Sequence, residues 1–169
     1  MIPSSYVEKH EPHAQPRLLV LKHARGKLAA AKIPCGARFV VAADTVVALQ
    51  GRIYGKPSNL SHAKRMLAAL SGVAHEVYTG LAILDLLSGK QIRRCVKSRV
   101  KIRCMTSHDI DLYFKKMNPL DKAGSYAVQS RPSVVESIVG SYSNVMGLPM
   151  EDFQMTLRKL IRFRNDLKK

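Results

Sequence analysis

The stretch Arg38-Phe39-Val40-Val41-Ala42-Ala43-Asp44-Thr45-Val46-Val47-Ala48-Leu49 decides the fold class. Residues 38–43 form a short apolar run of the kind shown by a strand covered on both faces, and Val46 to Leu49 form a second, β-branched run. Between them, Asp44 puts an ionisable carboxylate directly after the first run. Such a group is costly to bury unless it is paired, metal-bound or functional. In open α/β sheets the end of a strand is also where ligands bind. Taken alone, Asp44 reads equally well as a turn cap acting through Thr45.

Outward from this stretch the elements alternate. Upstream, Pro16 can occupy a first helical turn, and Leu18, Leu19, Leu21, Ala24, Leu28 and Ala31 recur at helical steps up to Pro34. Downstream, Gln50-Gly51 reads as a turn into Arg52-Ile53-Tyr54. Gly55-Lys56-Pro57 then interrupts regular structure, and Ser58, Asn59 and Ser61 offer caps for a helix carrying Ala63, Met66, Leu67 and Leu70, with Gly72 as its terminator. Residues 73–87 and 92–104 suggest a long hairpin around Ser88-Gly89-Lys90, with Arg99, Lys101 and Arg103 on one face. A cap at Thr106 or Ser107 begins a helix that Asn118-Pro119 ends. The Asp121 to Arg131 loop follows, then a short strand at Val134-Val135 and Ile138-Val139. The last helix carries Met150, Phe153, Leu157, Leu160 and Ile161 on one side, with Glu151 and Asp152 in its first turn and Lys168 and Lys169 at its end. The pattern predicts an α/β fold, a mixed β-sheet flanked by helices.

Composition narrows the function. With 169 residues, 46% of them hydrophobic, the chain is the size of one domain and can bury roughly 70% of its unfolded surface. The longest apolar stretch, broken by Asp44, is far short of a membrane span, and the start has no signal-peptide core, so a soluble, cytoplasmic protein with no membrane partner is expected. Cys35, Cys95 and Cys104 form no CxxC, which argues against a disulfide scaffold or a zinc knot and predicts reduced, mostly buried thiols. Among the histidines, Pro12 separates His10 from His13 and there is no HExxH, while His75 belongs to a strand motif. The net charge of +16 is spread over both halves and favours polyanionic partners.

Five ordered motifs sharpen the reading: Ala43-Asp44-Thr45-Val46-Val47; Gly55-Lys56-Pro57; Leu70-Ser71-Gly72 with His75 to Gly80; Pro119 to Tyr126 with Gln129; and Asn144-Val145-Met146-Gly147-Leu148-Pro149. In order and spacing they closely resemble the Maf family of nucleotide pyrophosphatases. The resemblance implies a homodimeric α/β protein, related to the inosine triphosphate pyrophosphatases. Such a protein cleaves nucleoside triphosphates to the monophosphate and pyrophosphate with a divalent metal. By the same resemblance Asp44 matches the catalytic acid, and Lys56 and Lys122 match conserved lysines. Thr45 and Gln129 match residues of the branch that prefers thymidine and uridine triphosphates (dTTP and UTP). Water attack on a phosphorus flanked by anionic oxygens needs a base or a metal, which Asp44 can provide, and cations to offset the leaving pyrophosphate, which the lysines can provide. Carboxylate ligands point to Mg²⁺ or Mn²⁺.

The chain also departs from the family. Family members begin with a strand and a Ser-x-Ser-x-Arg-Arg loop, whereas Met1-Ile2-Pro3-Ser4 aligns with the segment after the family's first helix. The expectation is therefore a single Maf-like domain, residues 1–169, lacking that strand, phosphate loop and helix, with activity impaired by the loss. Glu8 matches one acid of an Asp/Glu pair and is the second candidate metal ligand; Lys9 stands where the other acid would be, and Glu11 could substitute. Ser130 stands where a glycine usually follows the family's Gln. The alternative is a basic nucleic-acid-binding module without catalysis, built on Arg93, Arg94, Lys97, Arg99, Lys101 and Arg103 with Arg158, Lys159, Arg162 and Arg164. Few aromatics and no Trp give it few stacking platforms.

Overall fold

A computed structural model describes residues 4–9 and 11–166. His10 and the two terminal lysines, Lys168 and Lys169, lie outside the described residues. Strands β1 (Phe39–Leu49), β2 (Arg52–Tyr54), β3 (Ala74–Asp85), β4 (Gln91–Ile102) and β5 (Val135–Val139) form one sheet in the order β2-β1-β3-β4-β5. The helices are α1 (Pro16–Ala29), α2 (Leu60–Leu70), α3 (Ser107–Lys116), α4 (Tyr142–Val145) and α5 (Met150–Asp166). The α/β reading holds, and where a mixed sheet was expected every described strand pair is antiparallel. Two hairpins account for two of these pairs, and the connection through α2 returns β3 to the opposite edge of β1 from β2.

One expectation is corrected here: Asp44-Thr45 does not end a strand. β1 runs unbroken through both residues, and Asp44 pairs in register with Gly80 near the middle of the β1–β3 ladder. The backbone ladder is indifferent to side-chain polarity as long as the charge is met from outside the strand. The thiols also differ from expectation, since Cys35 and Cys104 are exposed and Cys95 is half-buried. Cys35 and Cys104 sit beyond the ends of α1 and β4, where the chain leaves the packed layers.

Alternation along the strands separates two faces. On one face α1 sets Leu19 and Val20 against Val46 and Ile53, and Ala24 and Leu28 against Ala82. Gly80 permits this approach, because a Cβ there would lie 2.3 Å from the Val20 carbonyl oxygen. On the other face Leu67 and Leu70 of α2 and Ile110 and Tyr113 of α3 pack with Val47, Val77, Val100 and Ile102. Leu160 of α5 covers Leu81 and Ile83 there. The expected caps are present: Asn59 accepts from the His62 amide, and Thr106 forms a reciprocal capping box with Asp109.

The cationic stripe of β4 is partly neutralised, with Lys97 bonded to Glu76 at 2.9 Å and Lys101 to Glu136 at 2.8 Å. β2 pairs only with Val47–Leu49, so the outer edge of β1 from Phe39 to Val46 has no strand partner among the described residues. The middle of β1 is thereby left open on its outer side, beside α1.

Candidate active site

A cavity of about 500 Å³ opens beside the middle of β1. Glu8, Asp44, Thr45, Lys56, Lys122 and Gln129, the six residues singled out from sequence, all line it. They reach it from the N-terminal segment, the centre of β1, the loop after β2 and the loop after α3. A hydrogen bond from the Gly124 amide to the Gly55 carbonyl, 3.1 Å, ties the two lysine-bearing loops together. Gly124 makes that turn at φ +69°, a conformation that favours glycine.

Asp44 is buried, and α1 meets its charge from the face it covers. Lys27 Nζ donates to Asp44 Oδ1 at 2.6 Å, and His23 Nδ1 lies 3.2 Å from Asp44 Oδ2. The same ammonium reaches Glu8 Oε1 at 2.7 Å, so one cation bridges two carboxylates. Partial burial works against ionisation of Glu8, but the hydrogen bond and charge of Lys27 prevail and hold its carboxyl below the usual range. Burial likewise works against the Lys27 ammonium, yet its bonds to Asp44 and Glu8 raise its pKa. Lys122 is bonded to Asp121 at 2.6 Å, while Lys56 projects exposed between Gly55 and buried Pro57.

Glu8, His23 and Asp44 each place one ligand atom within 4.8 Å of the others, and two carboxylates with an imidazole suit a divalent cation. Glu11 does not join them, because its carboxylate is taken by Lys22 at 2.6 Å.

Comparison with known sequences gives the family. The family model described as Maf-like protein matches residues 1–160. The chain belongs to the Maf family. It is 42% identical over 149 residues to a dTTP/UTP pyrophosphatase of Gloeobacter violaceus, covering 88% of this chain and 77% of that protein. It is 45% identical over 122 residues to a dTTP/UTP pyrophosphatase of Clostridium botulinum strain Okra, covering 72% and 63%. A dTTP/UTP pyrophosphatase of Citrifermentans bemidjiense is 38% identical over 159 residues, covering 94% and 82%. The second of these alignments thus spans less than two thirds of the relative's length.

Within this Maf domain the remaining motif residues brace the cavity from below. Thr45 Oγ1 and Thr79 Oγ1 lie 2.9 Å apart, and Thr79 donates to the Asn144 carbonyl at 3.1 Å. Asn144, buried, donates through Nδ2 to the Val77 carbonyl and to Ser98. His75 Nε2 pairs with the Tyr126 hydroxyl at 2.8 Å, and burial lowers its pKa to about 4, so the ring is neutral near pH 7. Tyr126 lines the cavity, whereas Tyr142 is exposed on α4. Tyr113 accepts from the Ala127 amide at 3.0 Å and pairs with Ser130 at 2.8 Å, which anchors the loop holding Lys122 and Gln129.

Sequence reasoning missed Lys27 and His23. A signal was present: positions 23 and 27 fall on the helical stripe of Leu19, Val20, Ala24 and Leu28, where polar groups need a partner across the interface.

Proposed function

We propose that the chain hydrolyses nucleoside triphosphates of the dTTP/UTP type to the monophosphate and pyrophosphate. The observation that carries this reading is the convergence of the buried Asp44 carboxylate, the Glu8 carboxylate and the lysines Lys27, Lys56 and Lys122 on one open cavity. The shared family and the names of the relatives support it.

Asp44 is the proposed catalytic acid residue. Held on one oxygen by Lys27 and facing His23 with the other, it is oriented before substrate arrives, and its carboxylate can take the proton of an attacking water. Lys56 and Lys122, joined through the Gly55–Gly124 bond, approach the triphosphate as point charges and offset the negative charge that develops on the leaving pyrophosphate. Lys122 exchanges Asp121 for phosphate when it does so. Thr45 and Gln129 are assigned to substrate binding at the nucleoside end. Asp44 and Glu8 are the proposed ligands of Mg²⁺ or Mn²⁺, which when bound neutralises phosphate charge and lowers the pKa of water.

A homodimer working in the cytoplasm completes the proposal, and the exposed free Cys35 and Cys104 suit a reducing compartment. No helix among the described residues is long and apolar enough to cross a membrane. The test is pyrophosphate release across a nucleotide panel with wild type and Asp44→Asn, alongside circular dichroism. UTP and dTTP should be cleaved fastest, and the variant should lose about 10²–10⁴ in turnover while staying folded. Equal turnover by the two proteins would refute the assignment of Asp44.

A further inference from the structure

We propose that His23 is a third protein ligand of the divalent cation and that its nitrogen makes this site prefer Mn²⁺ to Mg²⁺. The inference rests on the reading of Asp44 and Glu8 as metal ligands and adds to it a residue and a selectivity.

His23 stands where the packing calls for an apolar side chain. It is 3% exposed on the α1 stripe of Leu19, Val20, Ala24 and Leu28, pressed against the sheet. A ring buried there carries a cost, because Nε2 is left without a hydrogen-bond partner. An aliphatic residue would incur no such cost. What the imidazole adds is a nitrogen directed at the buried carboxylate.

The spacing fits coordination. Nδ1 lies 3.2 Å from Asp44 Oδ2. Adjacent ligands of an octahedral ion with bonds of about 2.1 Å stand about 3 Å apart. The two atoms therefore already hold the separation of neighbouring donors on one ion. Lys27 does not compete for this oxygen, since its ammonium is bonded to Asp44 Oδ1 and Glu8 Oε1. The ring also packs against that of Tyr6, at 5.7 Å between centroids and an interplanar angle of 60°.

Donor chemistry sets the preference. A site of carboxylates and water suits Mg²⁺ and Mn²⁺ alike, whereas a neutral imidazole adds to the binding of a first-row transition ion more than to that of Mg²⁺. Of the two ions, Mn²⁺ is the one that two carboxylates with one nitrogen favour.

The experiment is pulsed electron paramagnetic resonance on the full chain with Mn²⁺ bound, with competition by Mg²⁺. The wild type should show modulation from a directly coordinated ¹⁴N, replaced by that of ¹⁵N when the histidines are ¹⁵N-labelled. His23→Leu should lose the nitrogen signal and bind Mn²⁺ about 10–100-fold more weakly. Its Mg²⁺ affinity should change by less than about threefold, so the preference collapses. His23→Asn serves the same purpose should the leucine variant fail to fold. Bound Mn²⁺ without a nitrogen signal, an unchanged metal preference in the variants, or no Mn²⁺ binding by the wild type would each overturn the proposal. A wild type that shows the nitrogen signal but releases no pyrophosphate would refute the pyrophosphatase reading and leave the ligand assignment standing. Mn²⁺-dependent turnover without the signal would do the reverse.

Discussion

Gly80→Ala should damage the site without touching any group that does chemistry. Gly80 is the cross-strand partner of Asp44, and α1 crosses directly over it. An added Cβ would lie 2.3 Å from the Val20 oxygen, 2.4 Å from the Val20 carbonyl carbon and 2.9 Å from the Leu21 nitrogen. Ordinary contact begins near 3.4 Å, so α1 must rise by about 1 Å. The atoms in the way are helix backbone, which has no rotamer to change. Overpacking of this kind typically costs about 1–3 kcal/mol. A clash with backbone belongs at the upper end, so melting should fall by about 4–10 °C in a chain of this size. The same shift would stretch the 2.6 Å Lys27–Asp44 bond and the 3.2 Å His23–Asp44 contact past hydrogen-bond length. A 1 Å misplacement of catalytic groups can cost about 10²-fold in rate. Thermal melts and pyrophosphate release measured on the same preparations check both effects. Gly55→Ala, where a Cβ meets open space, is the control for the melt and should change stability by less than about 0.5 kcal/mol. If Gly80→Ala melts within 1 °C of wild type and turns over normally, the account of how α1 sets the site is wrong.

Lys27→Met should leave the buried Asp44 charge with only His23 beside it and lower stability by about 2–4 kcal/mol at neutral pH, read by urea denaturation; a change under 0.5 kcal/mol would show that the bridge contributes little. His75 has its folded pKa depressed from 6.5 to about 4, so the unfolded chain binds more protons between these values. Its contribution is full above pH 6.5 and is lost as pH falls toward 4. Between pH 7 and 5 wild type should therefore lose about 2 kcal/mol more than His75→Gln, and parallel losses in the two proteins would refute this. Gln129→Ala should narrow the preference for UTP over purine triphosphates by about tenfold or more in kcat/KM while changing the best kcat less; an equal effect on every nucleotide would remove Gln129 from base recognition.

Much of the fold was legible because it is written in local periodicity and punctuation. Pro16 with the apolar steps that follow it defined α1, Gln50-Gly51 and Ser88-Gly89-Lys90 placed the two hairpin turns, and of the caps the sequence offered (Ser58, Asn59 or Ser61, and Thr106 or Ser107) the structure uses Asn59 and Thr106. Those signals act over a few residues, so one dimension suffices to read them. The order of the five motifs was likewise enough to gather Asp44, Lys56, Lys122 and Gln129 into one hypothesis, and the cavity brings them together. Tertiary structure alone decided how Asp44 is accommodated. In sequence the charged residue looks like the end of a strand, because hydropathy reports side chains, whereas the β1–β3 ladder is built from backbone and passes straight through it. What makes that possible lies 17 and 21 residues away, in the Lys27 and His23 that α1 lowers onto the sheet over Gly80. Their distance from Asp44 depends on strand register and on how closely a helix can approach, and both are set only when the layers pack.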